Sequence, residues 1–578
     1  MANALTTYEI SVNASATLAQ GVGAHFRLLV DDVQVGDATV GTNQQSYDFD
    51  ASLDSSKAHS IKVVYDNDTY VDGQDRNLLL QSISVNGNTV QATDAREVYH
   101  ATGGPGDLQS TGDMVWAGTA EFNLPSSVFG SGSTSNPVSS LAPAASASAP
   151  NAFFVSTTGS DAADGSAAHP FASLARAVAA MEGSAIHTTY VQGGTYNLSS
   201  TLTLGQADSG MTIKAVEGQT AVLNGNGHDS LISVNGASGV TLSGLTFSHG
   251  GDGGAVALNN TSGVSVLGNH FTDNGRGLEM VNADASVISG NQIENSARDG
   301  IEVKDGSDHN LFDSNVINGV SSTGTTGGGM FMHGVNYNTI SHNLVENIGG
   351  LGIGIENWDN QTINVGNVIT DNVVRNTNTN TPYDSGAIYV LGRSGVDTQT
   401  VISNNLVEKT GAGGDAHTVA IYLDDYTSGV TVTDNVLRDV GTHGIEIHGG
   451  HNVAVTNNVF DLGNDANSAI FFHDIQSGDL HDIAVSGNVI TSSKASQQAY
   501  DVYATGNMGV SHNEYWNTAG GQINTGPDSS AVVADPHFQD AANGNYALAS
   551  GSAAGAVGFT QIDQSATGLQ PTTEHWYL

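Results

Sequence analysis

The chain of 578 residues contains no cysteine and few basic residues. Without cysteine it has no disulfide, no thiolate metal site and no cysteine nucleophile. Only 15 Lys and Arg residues stand against 57 Asp and Glu residues, so the net charge is −42. Such a negative chain repels phosphate backbones and anionic lipids, which argues against binding to nucleic acids or membrane surfaces. No apolar run approaches the ~18 residues that span a bilayer.

The first ten residues, MANALTTYEI, contain neither a basic nor an apolar stretch, so they do not form a secretory signal peptide. The acidic, lysine-poor and cysteine-free composition resembles that of bacterial proteins that are exported in one step through a C-terminal signal. We therefore predict an extracellular protein that is secreted without an N-terminal signal peptide. A cytosolic protein is the alternative.

Composition divides the chain into four parts. Residues 1–125 contain short segments with alternating apolar and polar residues, separated by Gly, Asn and Asp, which predicts a small β-sandwich. Residues 126–150 are rich in Ser, Ala and Pro and uncharged, which is typical of a linker. Residues 151–560 carry an internal repeat, and residues 561–578 form a C-terminal tail.

The repeat is a step in which Asn precedes aliphatic or aromatic residues at spacings of 22 to 33 residues. Short strands and turns at this spacing, without long helical patterns, predict a right-handed parallel β-helix. Asn tolerates left-handed turns, and stacked Asn side chains can pair along the axis of such a helix. The Asn residues are Asn269, Asn291, Asn315, Asn343, Asn372, Asn405, Asn435, Asn458, Asn488 and Asn513.

The two ends of the repeat carry further motifs. An amphipathic helix over 173–181 begins with a Ser and precedes the first coils, as a cap of the solenoid would. The motifs FFVST at 153–157, PFASL at 170–174 and GGTY at 193–196 resemble the opening segment of secreted β-helix polysaccharide-degrading enzymes. The motif DPHF at 535–538 resembles their closing segment. This resemblance implies the fold and a polysaccharide substrate.

One strand in each coil follows the pattern small–aliphatic–x–aliphatic–x. Because side chains alternate along a strand, the aliphatic residues point inward and the x positions form two columns on the outside. The first column is Glu279, Glu302, Phe331, Gly354, Tyr389, Tyr422, Glu446 and Phe471; the second is Lys304, His333, Glu356, Leu391, Asp424, His448 and His473. These carboxylates, imidazoles and rings are typical of a carbohydrate groove, so we expect both columns to be exposed.

Paired carboxylates in these columns predict acid–base catalysis. Asp424 and Glu446 lie one strand spacing (~4.8 Å) and two residues apart, which favours the close pair of a retaining glycosidase. Glu356 lies two coils before Asp424, about 10 Å away, which is nearer to an inverting pair. If the chain turns directly after Asp424, Asp425 replaces it as the candidate.

The motif IYLDD at 421–425, followed one coil later by GIE at 444–446, resembles the catalytic strands of parallel β-helix β-xylosidases. The resemblance implies an Asp nucleophile and a Glu acid/base at Asp424 and Glu446, and a xylan-like substrate. We predict that His333 and His448 bind sugar hydroxyls or orient a carboxylate. Tyr389, Tyr422 and Trp358 are expected to stack on sugar rings.

Two other functions fit the same fold. A polysaccharide lyase or uronate C5-epimerase would need cations to neutralise the carboxylate of its substrate, and the candidates are Lys304, Arg298 and Arg393. A non-catalytic glycan-binding surface protein is the second alternative. An exposed terminal coil would also allow end-to-end self-association.

An acidic turn in the first domain predicts a calcium site. Asp66, Asp68, Asp72 and Asp75 surround Gly73, and calcium prefers such oxygen ligands, although the spacing is not that of an EF-hand. The motif NDTYVDGQDRNL at 67–78 resembles calcium-dependent xylan-binding modules. The resemblance implies a calcium ion at or beside the sugar site, with Asp68, Asp72 and Asp75 as its ligands.

Overall fold

A computed structural model describes most of the chain. The described residues are 6–19, 22–30, 33–42, 45–53, 57, 59–65, 69–71, 74–85, 88–91, 97–101, 107–109, 113–114, 118–124, 152–321, 327–380, 384–411 and 417–569. The chain divides into two compact units, Met1–Ala145 and Ser146–Leu578. The predicted linker at 126–150 lies outside the described residues.

The first unit contains two antiparallel sheets whose strands alternate between buried and exposed positions. The strand His25–Val30, for example, buries Phe26, Leu28 and Val30. These side chains share one core with residues of the other sheet, such as Ile10 and Ile83, which confirms the predicted β-sandwich. One sheet contains Asp113–Met114, Leu78–Val85, Thr6–Ala16, Gln45–Leu53 and Asn88–Gln91; the other contains Asp107–Gln109, Glu97–Ala101, Gly118–Leu124, His59–Tyr65, His25–Val30 and Val33–Thr39.

The second unit is a parallel β-helix, in which each coil contributes one strand to each of three long sheets, here named A, B and C in chain order. Sheet A contains Phe153–Val155, Thr188–Val191, Thr212–Ala215, Thr241–Ser243, Ser265–Leu267, Val287–Ser289, Leu311–Asp313, Thr339–Ser341, Val368–Thr370, Asp397–Ser403, Ser428–Thr433, His451–Thr456, His481–Ser486 and Met508–Val510. Sheet B contains Gly194–Asn197, Ala221–Asn224, Leu245–Ser248, His270–Thr272, Gln292–Glu294, Val316–Asn318, Leu344–Glu346, Val373–Thr377, Leu406–Thr410, Val436–Arg438, Val459–Asp461, Val489–Ser492, Glu514–Asn517 and Val532–Val533. Sheet C contains Leu202–Leu204, Ile232–Asn235, Val256–Ser262, Leu278–Asp284, Ile301–Lys304, Gly328–His333, Leu351–Glu356, Ser385–Leu391, Thr418–Asp424, His443–His448, Ser468–His473 and Tyr500–Tyr503.

The repeated Asn residues form a ladder at the turn between sheets A and B, as predicted. Asn372 Nδ2 donates to Asn405 Oδ1 at 3.0 Å, and Asn405 Nδ2 donates to Asn435 Oδ1 at 3.0 Å. The ladder continues in this way from Asn269 to Asn513, whose Nδ2 donates to Asp528 Oδ2 at 2.9 Å. These bonds satisfy buried amides that would otherwise be costly.

Small residues stand at or near the beginning of the sheet C strands from Leu278–Asp284 to Ser468–His473, where neighbouring coils approach closely. A Cβ atom on Gly300 would lie 2.6 Å from the carbonyl oxygen of Gly329, and one on Gly352 would lie 2.5 Å from that of Ala387. Both distances are shorter than real Cβ contacts. The small residue of the sequence pattern therefore sets the spacing of the sheet that carries the candidate site.

Helix and tail segments cover parts of the β-helix. The helix Leu174–Glu182 packs Leu174, Val178 and Met181 onto the core near the first coils, and Ser173 caps it by accepting a bond from the Arg176 amide at 3.2 Å. The strands Phe538–Asp540 and Asn545–Leu548 and the 3₁₀ turn Ala554–Val557 lie on the outer face of sheet B. Short elements also occur at Thr69–Val71 with Gln74–Arg76, Ser496–Gln498 with Gln522–Asn524, Gln206–Asp208 and Ala541–Asn543. No helix in the described part of the chain has the length and hydropathy of a membrane span.

Candidate active site on the outer face of sheet C

The strand register of sheet C places the predicted outer residues side by side. Glu302 lies beside Phe331, Tyr389 beside Tyr422, and Tyr422 beside Glu446. In the second column, His333 lies beside Glu356, and Leu391 lies beside Asp424. The two columns predicted from alternation are therefore present in the structure.

The exposure expected for these columns is wrong for the residues that carry the predicted chemistry, although other members such as His448 and His473 are partly exposed. Asp424, Glu446, Glu356, Tyr389 and Tyr422 are all buried, with at most 4% of each residue exposed. Large side chains cover one another at the close spacing of the strands, and Tyr389 and Tyr422 form an apolar cluster with neighbouring Leu and Val side chains. The two tyrosines present no free ring face, and they contact the carboxylates through their hydroxyl groups instead.

Asp424 ends its strand and accepts hydrogen bonds on both carboxylate oxygens. Oδ2 accepts from the Tyr389 hydroxyl at 2.5 Å, and Oδ1 lies 2.7 Å from Nδ1 of His448. Burial raises the pKa of Asp424, but the bonds from His448 and Tyr389 outweigh burial and hold this pKa below its ordinary value. Asp424 is therefore ionised at neutral pH.

Asp425 follows Asp424 in the turn, where its backbone is left-handed with φ of 38°. Its Oδ2 accepts from Nε of Arg393 at 2.7 Å. The turn that would have made Asp425 the candidate does follow Asp424, yet the register keeps Asp424 in the outer column beside Leu391. Asp425 lies at the edge of the site and is held by an ion pair.

Glu446 lies on the same face as Asp424, one strand further on. His417 Nε2 contacts one of its oxygens, and His473 Nδ1 lies 3.2 Å from the other. The bond to Glu446 raises the pKa of His417 and so favours the imidazolium form of His417. Both oxygens of Glu446 are thus occupied by imidazoles.

Glu356 has a different environment. Trp358 Nε1 donates to Oε2 of Glu356, while Oε1 has no hydrogen-bond partner among the described residues. Burial, with a further contribution from the charge of Asp424, raises the pKa of Glu356 to about 8. Glu356 therefore holds its proton at neutral pH, when Asp424 does not.

The predicted substrate-binding residues surround these carboxyl groups. His448 is held by Asp424, which raises the pKa of His448 against the opposing effect of burial. Half-buried His333 lies beside Glu356 in the register, with Nδ1 3.8 Å from Asp305. Trp358 is 37% exposed, and the Arg393 guanidinium lies 4.8 Å from the centre of its ring.

Sequence analysis missed two contributors to the site, Asp384 and His417. Each stands directly before a strand of sheet C, and these strands are paired through Ser385 and Thr418. Asp384 Oδ1 accepts from the Tyr422 hydroxyl at 3.0 Å, and burial together with the charge of Asp424 raises the pKa of Asp384. The only signal was their shared position before two aligned strands.

Two places offer metal ligands. Asp424, Asp425 and His448 present ligand atoms within 4.8 Å of one another, but the bonds to Tyr389 and Arg393 already use these groups. In the first unit, Asp68 and Asp72 lie outside the described residues. For Asp75 the structure describes the backbone alone, opposite Tyr70 in a short hairpin.

Family comparisons match one segment in each unit. Residues 9–100 match the family described as a Ca-dependent, xylan-binding carbohydrate-binding module. Residues 215–328 match the family described as a right-handed β-helix region. These matches confirm the predicted resemblance of the first unit to calcium-dependent carbohydrate-binding modules and the predicted right-handed β-helix of the second, and together they support a polysaccharide-active protein.

Comparison with solved structures gives low similarities. A carbohydrate-binding module in complex with galactobiose is 25% identical and covers 20% of this chain and 97% of its own, with a TM-score of 0.17. The catalytic domain of an α-1,3-glucanase in complex with tetrasaccharides is 13% identical and covers 92% of this chain and 89% of its own, with a TM-score of 0.42. A structure named glycoside hydrolase is 11% identical and covers 62% and 96%, with a TM-score of 0.42. No curated protein matches the sequence.

Proposed function

We propose that the protein is a glycoside hydrolase that cleaves a xylan-like polysaccharide. The observation that carries this proposal is a pair of buried carboxyl groups on one face of sheet C with different hydrogen-bond donors, His448 and Tyr389 for Asp424 and Trp358 alone for Glu356. Burial raises the pKa of Glu356 to about 8, whereas bonds from His448 and Tyr389 keep Asp424 ionised. Glycosidases pair a protonated acid with an ionised carboxylate in this way.

The spacing of the pair favours an inverting reaction. The register runs from Glu356 past Leu391 to Asp424, which is two strand spacings, or about 10 Å between backbones. Inverting enzymes hold their carboxyl groups ~6.5–9.5 Å apart to leave room for water. Glu356 donates its proton to the oxygen of the leaving sugar, and Asp424 accepts a proton from the water that attacks the anomeric carbon.

The retaining mechanism predicted from the sequence assigns the second carboxyl group to Glu446. In that mechanism Asp424 attacks the anomeric carbon and Glu446 protonates the leaving oxygen. Both oxygens of Glu446 contact imidazoles, those of His417 and His473, whereas Oε1 of Glu356 has no hydrogen-bond partner among the described residues. The geometry therefore favours Glu356 as the acid, and the stereochemistry of the product distinguishes the two mechanisms.

The test is hydrolysis of xylan and xylooligosaccharides by the full chain and its variants. We expect Asp424→Asn and Glu356→Gln each to lower kcat by about 100-fold or more, the usual contribution of a general acid or base. Glu217→Gln, at an exposed position, is the matched control. NMR of the first-formed anomer reads out inversion or retention, and full activity in both site variants would contradict the assignment.

A lyase or epimerase is the alternative on this fold, but its candidate cations are engaged. Lys304 pairs with Glu279 at 2.9 Å and Glu302 at 3.0 Å, and Arg393 pairs with Asp425. Arg298 lies 3.4 Å from Asp252. The ultraviolet absorbance of an unsaturated product from pectin or alginate would identify a lyase, and no turnover of any glycan would identify a binding protein.

Xylan specificity and calcium dependence are proposed for the first unit. The support is the match of residues 9–100 to a Ca-dependent xylan-binding family and the acidic residues Asp68, Asp72 and Asp75. Oxygen ligands from carboxylates suit calcium.

We also propose that the protein acts outside the cell, where polysaccharide is available. The support is its acidic, lysine-poor and cysteine-free composition. Detection of the protein in culture medium, beside a cytosolic marker that stays in the cells, tests this location. End-to-end self-association through a terminal coil is a further proposal, which sedimentation velocity over a range of concentrations tests.

A further inference from the structure

A continuous row of rings leads away from Asp424 along the outer face of sheet C. Tyr422 lies 6.5 Å from His448, and His448 stacks on His473 at 4.4 Å and 23° between planes. His473 stacks on Phe471 at 4.8 Å and 16°, and Phe471 meets the edge of Tyr503 at 5.5 Å and 81°. The row crosses four successive strands of the sheet.

The rings become more exposed with distance from the carboxylates. Tyr422 is 2% exposed and Tyr503 is 72% exposed, and the side chains of His448 and His473 lie between them at 20% and 37%. Tyr503 stands in register with His473 and therefore continues the column that contains Asp424 and His448. Three strand spacings place it about 14 Å from Asp424 along the helix axis.

From this row we infer that Tyr503 forms a distal binding subsite for a neutral polysaccharide chain that runs along sheet C. The Tyr503 ring packs nearly perpendicular to the Phe471 ring. It can therefore offer an apolar face to a sugar, while the Tyr503 hydroxyl group remains in water. Asp501, two residues earlier and beside Phe471 in the register, has a partly exposed carboxylate that can accept bonds from sugar hydroxyls. The acidic surroundings disfavour a polyuronate.

This inference rests on the proposed function, because it extends the same site to a longer substrate. A chain that reaches both Asp424 and Tyr503 must contain several sugar residues. A short oligosaccharide occupies the carboxylate site alone. The subsite therefore predicts a preference for long chains over short ones.

The first experiment compares Tyr503→Ala with the full wild-type chain on soluble xylan and on xylobiose. We expect kcat/KM on xylan to fall about 10-fold and kcat/KM on xylobiose to remain unchanged. Tyr337→Ala is the matched control, because Tyr337 is 54% exposed beside sheet A, away from the row. Equal values for Tyr503→Ala and wild type on both substrates would overturn the subsite while leaving hydrolysis in place.

The second experiment measures binding without turnover. In Tyr503→Trp, added xylohexaose should shift the fluorescence emission beyond the change that the native tryptophans, such as Trp358, give in the wild type, whereas Tyr337→Trp should give only the wild-type change. A response in a chain that hydrolyses no glycan would support the subsite and contradict the proposed hydrolase. No response at saturating xylohexaose, or an equal response to an oligogalacturonate, would overturn a subsite for neutral chains.

Discussion

At the scale of single residues, Glu356 and Asp424 show how neighbouring hydrogen-bond donors determine the pKa of a buried carboxyl group. Both are buried on one face, yet Asp424 receives bonds from His448 and Tyr389, and Glu356 receives one from Trp358. The donors to Asp424 outweigh the effect of burial on its pKa, whereas the single donor to Glu356 does not, so burial determines the pKa of Glu356.

Trp358→Phe tests this environment. The indole N–H stabilises the ionised form of Glu356, so its removal should raise the pKa of Glu356 above its value of about 8. A general acid works while protonated, and activity is lost as the pH rises through its pKa. We therefore expect the alkaline limb of kcat/KM against pH to move to higher pH, measured on xylooligosaccharides.

Trp516→Phe, on sheet B, provides the control for loss of an indole. Its pH profile should match that of the wild type. An alkaline limb of Trp358→Phe that stays in place or moves to lower pH would mean that Glu356 is not the acid.

At the scale of elements, the C-terminal segment covers the outer face of sheet B with apolar side chains, and the carboxyl group of Glu514 lies on this covered sheet. Glu514 stands next to Val489 and Val532 in the sheet, and among the described residues neither of its oxygens has a hydrogen-bond partner. Burial, with the charge of Asp535 adding to it, raises the pKa of Glu514 to about 7.

This group should make stability depend on pH. The folded chain keeps the proton of Glu514 up to about pH 7, while the unfolded chain releases it near the ordinary glutamate pKa of 4.5. The stability that the folded chain gains by keeping this proton is therefore fully present below pH 4.5 and is lost as the pH rises through 7. Glu514→Gln should increase the free energy of unfolding at pH 8 by the order of 1–3 kcal/mol and change it little at pH 4.

Urea unfolding at the two pH values measures this difference, with Glu217→Gln at an exposed position as the control. A gain of equal size at both pH values would show that the proton of Glu514 is not responsible.

The strands and turns were predictable from the sequence, because the alternation of side chains along a strand and the repeated Asn can both be identified in short segments of sequence. The columns of sheet C follow from side-chain parity, and the Asn ladder follows from one repeated residue. Burial was not predictable, because the apolar cluster of Tyr389, Tyr422 and their neighbours depends on how adjacent coils fill the space between strands. Asp384 and His417 precede their strands, and the alternation of side chains predicts orientation only within a strand. Their contribution to the site is therefore visible in the structure but not in the sequence.

At the scale of the whole molecule, a binding module and a β-helix share one chain. A tethered module raises the effective concentration of a polysaccharide at a second site on the same chain. The composition and motifs indicated both units, whereas the structure describes only part of the predicted calcium turn.

Metal removal tests the contribution of the module. We expect EDTA to abolish the binding of the full chain to insoluble xylan, and calcium, but not magnesium, to restore it, because the proposed ligands suit the larger ion. Hydrolysis of short soluble oligosaccharides should be unaffected, since the steps assigned to Glu356 and Asp424 are carried by side chains of the β-helix. Binding that persists in protein shown to be free of metal would refute the calcium proposal.

The Asn ladder has a consequence for how this protein can vary. It fixes one corner of each coil from Asn269 to Asn513. Successive Asn residues of the ladder are separated by as few as 22 residues, between Asn269 and Asn291, and by as many as 33, between Asn372 and Asn405. Extra residues must therefore bulge out at the other corners, and three of the longer intervals, of 29, 33 and 30 residues, contain Glu356, Tyr389 and Asp424. Insertions in these loops can thus change the surface around the carboxylates without changing the spacing of the coils. We therefore expect differences in substrate specificity to arise from these loops.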